Sequence, residues 1–210
     1  QRHRRSSAVH GRSLRLSLPL SKWFILTRPP ARHLWPAVSH CTFIRAPYNE
    51  AMRRIWNRPA YPVWSLATLD AEGQGNMNIC TYVTPVSLQP KLMLVSLYHH
   101  TRTLANVQAT GRGVLQLLTV EQRSAVRTCG RQSGNDIDKL ARLEANHPIG
   151  FHQEIPYFKA CAGFMELAFI DFVEVGADHL LGVGRVAQSK NLSDAEIMTT
   201  EYLKAHGIIR

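Results

Sequence analysis

The 210-residue sequence predicts a mainly β fold, an antiparallel barrel with a few short helices. Runs of apolar and β-favouring residues recur after residue 62, and most are joined by segments of hairpin length. The long crossover helices that a parallel sheet requires are missing between them. No G-x-G-x-x-G follows the first strand, which disfavours a Rossmann-type nucleotide site.

The first half of the barrel is predicted to contain four strands. Their predicted ranges are residues 63–69, 76–86, 91–98 and 113–119. The turn sequence DAEGQG joins the first two as a hairpin, because its glycines and acids are typical turn residues. Gln89-Pro90 breaks the chain before the third strand. A short helix from about Leu104 closes on Gly111 ahead of the fourth strand.

The second half is predicted to hold a long hairpin between two helices. Thr119 and Gln122 form a T-x-x-Q capping box for a helix that runs toward Gly130. Ser193 and Glu196 form a second box for a helix that ends near Gly207. Between them lie a loop-like segment and two strands. Their predicted ranges are 131–160, with helical turns at 136–145, then strands at 161–175 and 179–188 around the turn Gly-Ala-Asp.

Charge separates the first quarter of the chain from the rest. Residues 1–49 carry nine Lys/Arg and no acid, whereas residues 50–210 carry sixteen basic and fifteen acidic side chains. Residues 1–51 are therefore expected to be a basic leader: disordered, non-native upstream of Met52, or organelle-targeting. Residues 52–210 are the expected domain. Its near-neutral charge disfavours nucleic-acid binding, and the apolar cluster at 23–26 is too short to span a membrane.

The cysteines and histidines do not predict a metal site. Four cysteines lie far apart in sequence without a C-x-x-C pair, which disfavours a zinc site or a disulfide framework and fits a reducing cytoplasm. His99 and His100 are adjacent, so on a strand they would point to opposite faces. We expect no metal and a cytoplasmic location.

Hydrogen-bond donors gather where the third strand meets the first helix, in LVSLYHHTRTLANVQATG (94–111). Thr101 or Thr103 can cap the helix, whose N-terminus offers unpaired N–H groups to an anion. The Arg102 guanidinium can hold two phosphate oxygens at once. The alternative is an ordinary N-cap beside a solvated arginine, and the residues alone leave both open.

Five segments follow one another along the chain: NMNICTYVTPVSLQP, HHTRTLANV, GRGVLQLLT, DIDKLA and GADHLLGVGRV. In this order they resemble the flavin reductase-like family with the FMN-binding split barrel. The resemblance implies an antiparallel Greek-key split β-barrel that forms a homodimer and shares its flavin pocket across the subunit interface. It also implies hydride transfer from NADH or NADPH to FMN, with FAD as a possible flavin, and a monooxygenase or another electron acceptor as partner.

The resemblance assigns three groups of site residues. The isoalloxazine ring would lie along the strand that contains Asn78, Ile79, Cys80, Thr81, Tyr82 and Val83. The flavin phosphate would be held by Thr101, Arg102 and Thr103, with His100 and Lys139 as helpers. His179 would position the nicotinamide.

Each assignment has a structural alternative. Cys80 can be a small buried filler, Tyr82 can belong to a dimer core, and His179 can be a surface donor. Lys139 can pair with Asp136 or Glu144 on a solvated helix. Two functional alternatives also remain: an FMN-carrying electron-transfer protein without a nicotinamide site, and a pyridoxamine-phosphate-oxidase-like FMN protein.

Overall fold

The computed structural model of the chain describes Ile55 and residues 58–209. The leader expected over residues 1–51 lies outside these residues, as does Met52. The strands are β1 (Trp64–Leu69), β2 (Gly75–Met77), β3 (Val83–Leu88), β4 (Lys91–Tyr98), β5 (Arg112–Leu117), β6 (Ile149–His152), β7 (Ile155–Phe158), β8 (Gly163–Val173) and β9 (His179–Asn191). The helices are α1 (Arg102–Thr110), α2 (Ala125–Arg131), α3 (Lys139–Glu144) and α4 (Thr200–Ala205), with a 3-10 turn at Val120–Gln122.

Seven strands form one antiparallel sheet in the order β2-β1-β5-β8-β9-β4-β3. The chain between β2 and β3 connects the two ends of this order. The Cys80 N–H donates to the Trp64 carbonyl of β1 at 2.8 Å, and the Tyr82 carbonyl accepts from Ser96 N–H of β4 at 3.0 Å. The segment 75–88 therefore bonds to both edges and closes the sheet into a barrel.

The predicted single strand over 76–86 is therefore wrong in its middle. Residues 78–82 lie between β2 and β3 without regular strand structure. A strand that changes its partner from β1 to β4 cannot keep one continuous hydrogen-bond ladder. The break splits the barrel at the point where the resemblance predicts the flavin ring to lie.

Two hydrophobic cores explain why β1 and β5 are buried on both faces. Alternate residues of a strand point to opposite faces. On β5, Leu115 packs into the barrel interior with Leu66 and Leu167. Its neighbour Val114 packs outward into the second core, which α2, α3, β7 and α4 cover.

The helix-capping predictions had mixed outcomes. Gln122 Oε1 accepts the Thr119 N–H at 2.8 Å, which confirms that capping box. The Ser193–Glu196 box is wrong, because α4 begins after Thr199, whose hydroxyl accepts the Tyr202 N–H at 3.1 Å.

The loop-like segment predicted over residues 131–160 contains a hairpin. Strands β6 and β7 pair antiparallel in this segment. The N–H of Phe158 in β7 donates to the buried side chain of Gln116 on β5 at 2.7 Å. The hairpin is therefore held against the outer face of the barrel by contacts that are distant in sequence.

Gly163→Ala is expected to lower the free energy of unfolding by about 1–2 kcal/mol, because inserting atoms into a packed site strains it. A Cβ at Gly163 would lie 2.6 Å from the Lys190 carbonyl oxygen of β9, and that backbone cannot rotate away. Urea denaturation measures the change. Gly130→Ala in α2 is the matched control, since its Cβ would meet only Ile79 at 3.5 Å. Alanine favours a helix over glycine, so the control should be neutral or stabilising. Equal losses in both variants would contradict the clash.

Candidate cofactor site

A cavity of about 390 Å³ lies at the N-terminus of α1. Its wall combines the end of β4, the segment after β2, and the loop between α2 and α3. Seven of the predicted site residues line it: Asn78, Ile79, His100, Thr101, Arg102, Thr103 and Lys139. The structure thus brings the predicted phosphate segment and the first two residues of the predicted ring segment to one cavity.

The N-terminus of α1 forms one side of the cavity. The hydroxyl of Thr101 accepts the Leu104 N–H at 3.2 Å and donates to the Tyr98 carbonyl at 2.8 Å, so Thr101 is the N-cap. His100 turns the chain into the helix with a left-handed φ of 61°. The first N–H groups of a helix have no acceptor within the helix, and they carry the positive end of its dipole. This end of α1 is suited to an anion.

Thr103 is fixed from behind. It is buried, and its hydroxyl accepts a hydrogen bond from the buried amide of Asn76 at 2.9 Å. Asn76 itself lines the cavity. A side-chain bond between β2 and α1 therefore sets the position of the helix relative to the ring segment.

Arg102 is paired within the protein. Its Nη2 donates to the Asp70 carboxylate at 2.5 Å and to the Gln74 amide oxygen at 2.9 Å. Its Nη1 donates to the Gly134 carbonyl at 2.9 Å. Three of the five guanidinium N–H donors are used, and Nε–H with one Nη1–H remains for a ligand. Arg102 is therefore neither the solvated arginine of the structural alternative nor an unpaired cation.

The pKa of Asp70 reflects its pairing with Arg102. Desolvation alone would raise the pKa of Asp70, but the Gln74 N–H and the Arg102 guanidinium outweigh it and hold the pKa below its usual value. The carboxylate stays ionised beside the guanidinium at neutral pH. It offsets part of the positive charge that Arg102 presents to the cavity.

Lys139 is a buried lysine rather than a solvated one. Lys139 is the first residue of α3 and is 5% exposed, and its Nζ donates to the Cys129 carbonyl at 2.8 Å. Burial lowers the pKa of Lys139. The alternative pairing with Asp136 or Glu144 is wrong. An ammonium group has three donors, so two remain for a ligand.

The cysteines near the cavity are not reactive thiols. Burial raises the pKa of Cys80 and that of Cys129 to about 12 in each case, so both stay protonated. Cys80 packs into the barrel interior and its thiol donates to the Asn78 amide oxygen at 3.2 Å. This is the filler role that the sequence left open.

The predicted ring segment is divided between three environments. Asn78 and Ile79 line the cavity, whereas Cys80 and Val83 contact the barrel interior. Thr81 and Tyr82 line a neighbouring groove of about 300 Å³, and Ile79 lines both. The cavity and this groove therefore adjoin along one stretch of backbone.

His179 lies at the rim. It is the first residue of β9, and its Nδ1 is 2.7 Å from the Asp178 carboxylate. Its ring meets those of Tyr82 and Tyr98 edge-on, with centroids 5.7 and 5.2 Å away. Both tyrosines are about half exposed, and Tyr98 lines the cavity. His179 itself does not line the cavity, and its ring packs against Tyr98, which does.

A family model and several known proteins match this chain. Residues 56–205 match the model described as Flavin reductase like domain. The chain belongs to the flavin reductase like family. This membership confirms the family predicted from the sequence and the oxidoreductase class.

One curated relative and two solved structures illustrate the likeness. A Rhizobium meliloti protein named "Probable flavin reductase" is 28% identical over 141 residues, which cover 67% of this chain and 43% of that protein. This chain therefore spans less than half of that relative. The FMN-binding protein of Thermus thermophilus has a TM-score of 0.58 at 20% identity, over 67% of this chain and 75% of that one. The NADH:FAD oxidoreductase of Streptomyces globisporus, in complex with NAD and FAD fragments, has a TM-score of 0.61 at 19% identity. The match covers 70% of this chain and 84% of that one. Both structures share their fold with this chain. It is the mainly β antiparallel split barrel expected from the sequence.

Two negative findings concern the described residues of this flavin reductase like domain. No helix among them is long and apolar enough to cross a bilayer. No three His, Cys, Asp or Glu side chains within residues 58–209 lie together in a way that could hold a metal ion.

Sequence reasoning missed the residues that brace the cavity. The sequence identifies Asp70 and Gln74 only as turn residues, and Gly134 as part of a loop. It predicts Asn76 as an ordinary strand residue. No local sequence signal could have identified them, because Asp70 and Gly134 are each 32 residues away from Arg102.

Proposed function

We propose that this domain is a flavin reductase that binds FMN in the cavity at the α1 N-terminus and accepts a hydride from NADH or NADPH. The observation that carries the proposal is the meeting of the α1 N-terminus with the Asn78–Ile79 backbone at one cavity. Its volume falls within the range of ligand pockets, about 300–1,000 Å³. When bound, the flavin supplies the hydride-accepting chemistry.

The protein's own residues would bind and orient the ligands. The N–H groups of Arg102 and Thr103, with the remaining donors of Arg102 and Lys139, would hold the phosphate. His100 supports this side through the turn that leads into α1. The backbone N–H groups of Ile79 and Thr81, and the Thr81 hydroxyl, would bond the polar edge of the ring. His179 would orient the nicotinamide at the rim.

A homodimer is part of the proposal. Exposed apolar side chains occur on β3, where Val86 is 52% and Leu88 is 88% exposed. Tyr82, which lies just before β3 and lines the neighbouring groove with Thr81, is 48% exposed. A second copy covering this surface would bury them and enclose the groove. Analytical ultracentrifugation of the purified protein measures the mass.

Anaerobic reduction tests the proposed chemistry. The purified protein, loaded with FMN, is mixed with NADH or NADPH, and the absorbance of the oxidised flavin is followed. Bleaching within seconds is expected for a reductase. Bleaching by dithionite alone would instead indicate an FMN-carrying electron-transfer protein. A protein that binds no added FMN would contradict the whole proposal.

His179→Ala is expected to raise the KM for the nicotinamide about fivefold, the value of one neutral hydrogen bond of about 1 kcal/mol. FMN affinity should stay within a few-fold, because His179 does not line the cavity. Steady-state kinetics give the KM for the nicotinamide, and a flavin titration gives the Kd for FMN. Loss of FMN binding with an unchanged KM would show that His179 serves the flavin or the fold.

A further inference from the structure

Three arginines lie four residues apart on one side of α2 and the turn before it. Arg123, Arg127 and Arg131 are all exposed. Four residues of a helix turn through about 400°, so Arg131 is offset by only about 40° from Arg127 around α2. Together with His206 they line a second cavity of about 500 Å³ between α2 and the end of α4. We call these four residues the arginine groove.

The charge of the arginine groove is uncompensated among the described residues. None of the three arginines forms an ion pair with a described carboxylate. Arg131 donates to the Ile208 carbonyl at 2.5 Å, which fixes its position without neutralising it. Like charges four residues apart on a helix repel one another. Residues 50–210 as a whole are nearly neutral, so this concentration of charge is local.

The arginine groove adjoins the cofactor cavity. Arg131 lines both of them, and it also lines the neighbouring groove with Thr81 and Tyr82. The cofactor cavity and the arginine groove therefore meet at Arg131, and Arg127 lies about one helical turn further along α2. The site is concave, which suits a small anion better than the flat surface of a protein partner.

We propose that the arginine groove binds the phosphate groups on the adenosine side of a dinucleotide whose other end lies at the cofactor cavity. The inference rests on the proposed function. Two dinucleotides carry this chemistry: FAD, through the phosphate that carries its adenosine, and NADPH, through its 2′-phosphate. Arg123 and Arg127 pair with phosphate oxygens as guanidinium forks do. The Nδ1 of His206 is 2.8 Å from the Tyr202 carbonyl, which leaves Nε2 for the ligand.

The test compares matched nucleotides in Arg127→Gln and Arg123→Gln. Arg131 is left unchanged because it also lines the cofactor cavity. Arg142→Gln, an exposed arginine in α3, is the control. Titration gives the Kd for FMN and for FAD, and steady-state kinetics give the KM for NADH and for NADPH. Direct titration of the FMN-loaded protein with 2′,5′-ADP gives a readout that does not depend on turnover.

A phosphate contact by a charged group is worth about tenfold in affinity. If FAD is the ligand, FAD affinity falls about tenfold in the groove variants while FMN affinity is unchanged. If NADPH is the ligand, its KM rises about tenfold while that for NADH is unchanged, and 2′,5′-ADP binding weakens. The inference is overturned if the groove variants leave the FAD-to-FMN ratio of Kd values and the NADPH-to-NADH ratio of KM values both unchanged, as they would with equal losses for FMN and FAD. The proposed function would still stand. A wild-type protein that binds neither flavin overturns the proposed function instead.

Discussion

Arg102→Ala is expected to weaken FMN binding by about ten- to hundredfold and to leave riboflavin binding nearly unchanged. A charge-assisted hydrogen bond to phosphate contributes about 1.5–3 kcal/mol to binding. Riboflavin has no phosphate, so its binding does not include this contribution. Arg102 lines the cavity and keeps two N–H donors unused by the protein. Fluorescence titration of the wild type and the variant with both flavins gives the four dissociation constants.

Asp70→Asn is the informative partner variant. Asp70 compensates the charge of Arg102, so its carboxylate also repels a phosphate held there. If Arg102 contacts the phosphate, Asp70→Asn should raise the FMN preference over riboflavin. If Arg102 only joins the turn at residues 70–74 to the loop at Gly134, Asp70→Asn should weaken the binding of FMN and of riboflavin equally. Equal losses of FMN and riboflavin in Arg102→Ala would likewise mean that Arg102 supports the cavity wall and does not bind the phosphate.

The junction between β4 and α1 could be predicted because its determinants are local. An apolar strand, a threonine at the cap and Gly111 after the last turn all lie within eighteen residues. Thr101 does cap the helix, and Gly111 takes the left-handed φ of 67° expected after it. Short-range hydrogen bonds fix these features wherever the segment is placed.

The partner of Arg102 could not be predicted, because it depends on the barrel. Asp70 precedes Arg102 by 32 residues, and Gly134 follows it by 32. A sequence pattern shows that each is a turn or loop residue, but only the fold brings them to one guanidinium. The break at residues 78–82 escaped prediction for the same reason, since alternation does not show which strands a segment will pair with.

The β6–β7 hairpin is the clearest case of a tertiary determinant. Each strand has four residues, too few to give a periodic signal. The hairpin end is fixed by Glu166 of β8, whose carboxylate lies 2.8 Å from Arg112 Nη2 and 2.8 Å from His152 Nε2. Gln153 at the hairpin turn donates to the same carboxylate at 3.0 Å. This Glu166 cluster connects β5, β8 and the hairpin through one buried acid.

The pKa of Glu166 reflects the cluster. Burial alone would raise the pKa of Glu166, but hydrogen bonds from His152 and Arg112 outweigh it and lower the pKa below its usual 4.5. A group whose pKa is lowered on folding stabilises the folded state at pH values above its unfolded pKa. That contribution is lost as the pH falls through the folded pKa. The Glu166 cluster should therefore stabilise the domain fully at pH 7 and progressively less below about 4.5.

Arg112→Met is expected to lower the free energy of unfolding at pH 7 by about 2–3 kcal/mol. Breaking a buried pair costs about 3–5 kcal/mol and breaking an exposed one at most about 1 kcal/mol. Here Glu166 is buried but the Arg112 side chain is 43% exposed, so water screens part of the interaction. Methionine keeps most of the apolar stem and removes the charge. Urea denaturation at pH 7 measures the loss, and the hydrogen exchange of the β6–β7 amides should increase with it.

Arg185→Met on β9 is the matched control, because Arg185 is exposed and not in the Glu166 cluster. It should change the free energy of unfolding by less than about 0.5 kcal/mol. The difference in free energy of unfolding between wild type and Arg112→Met should also narrow as the pH of the denaturation is lowered progressively below 4.5. Glu166 becomes protonated as the pH falls through its lowered folded pKa, and the neutral group no longer attracts Arg112. A difference that stays constant with pH would mean that Arg112 acts through the packing of its stem. In that case the β6–β7 hairpin is held by its apolar contacts and the Gln116–Phe158 bond, and the buried acid is not what attaches it.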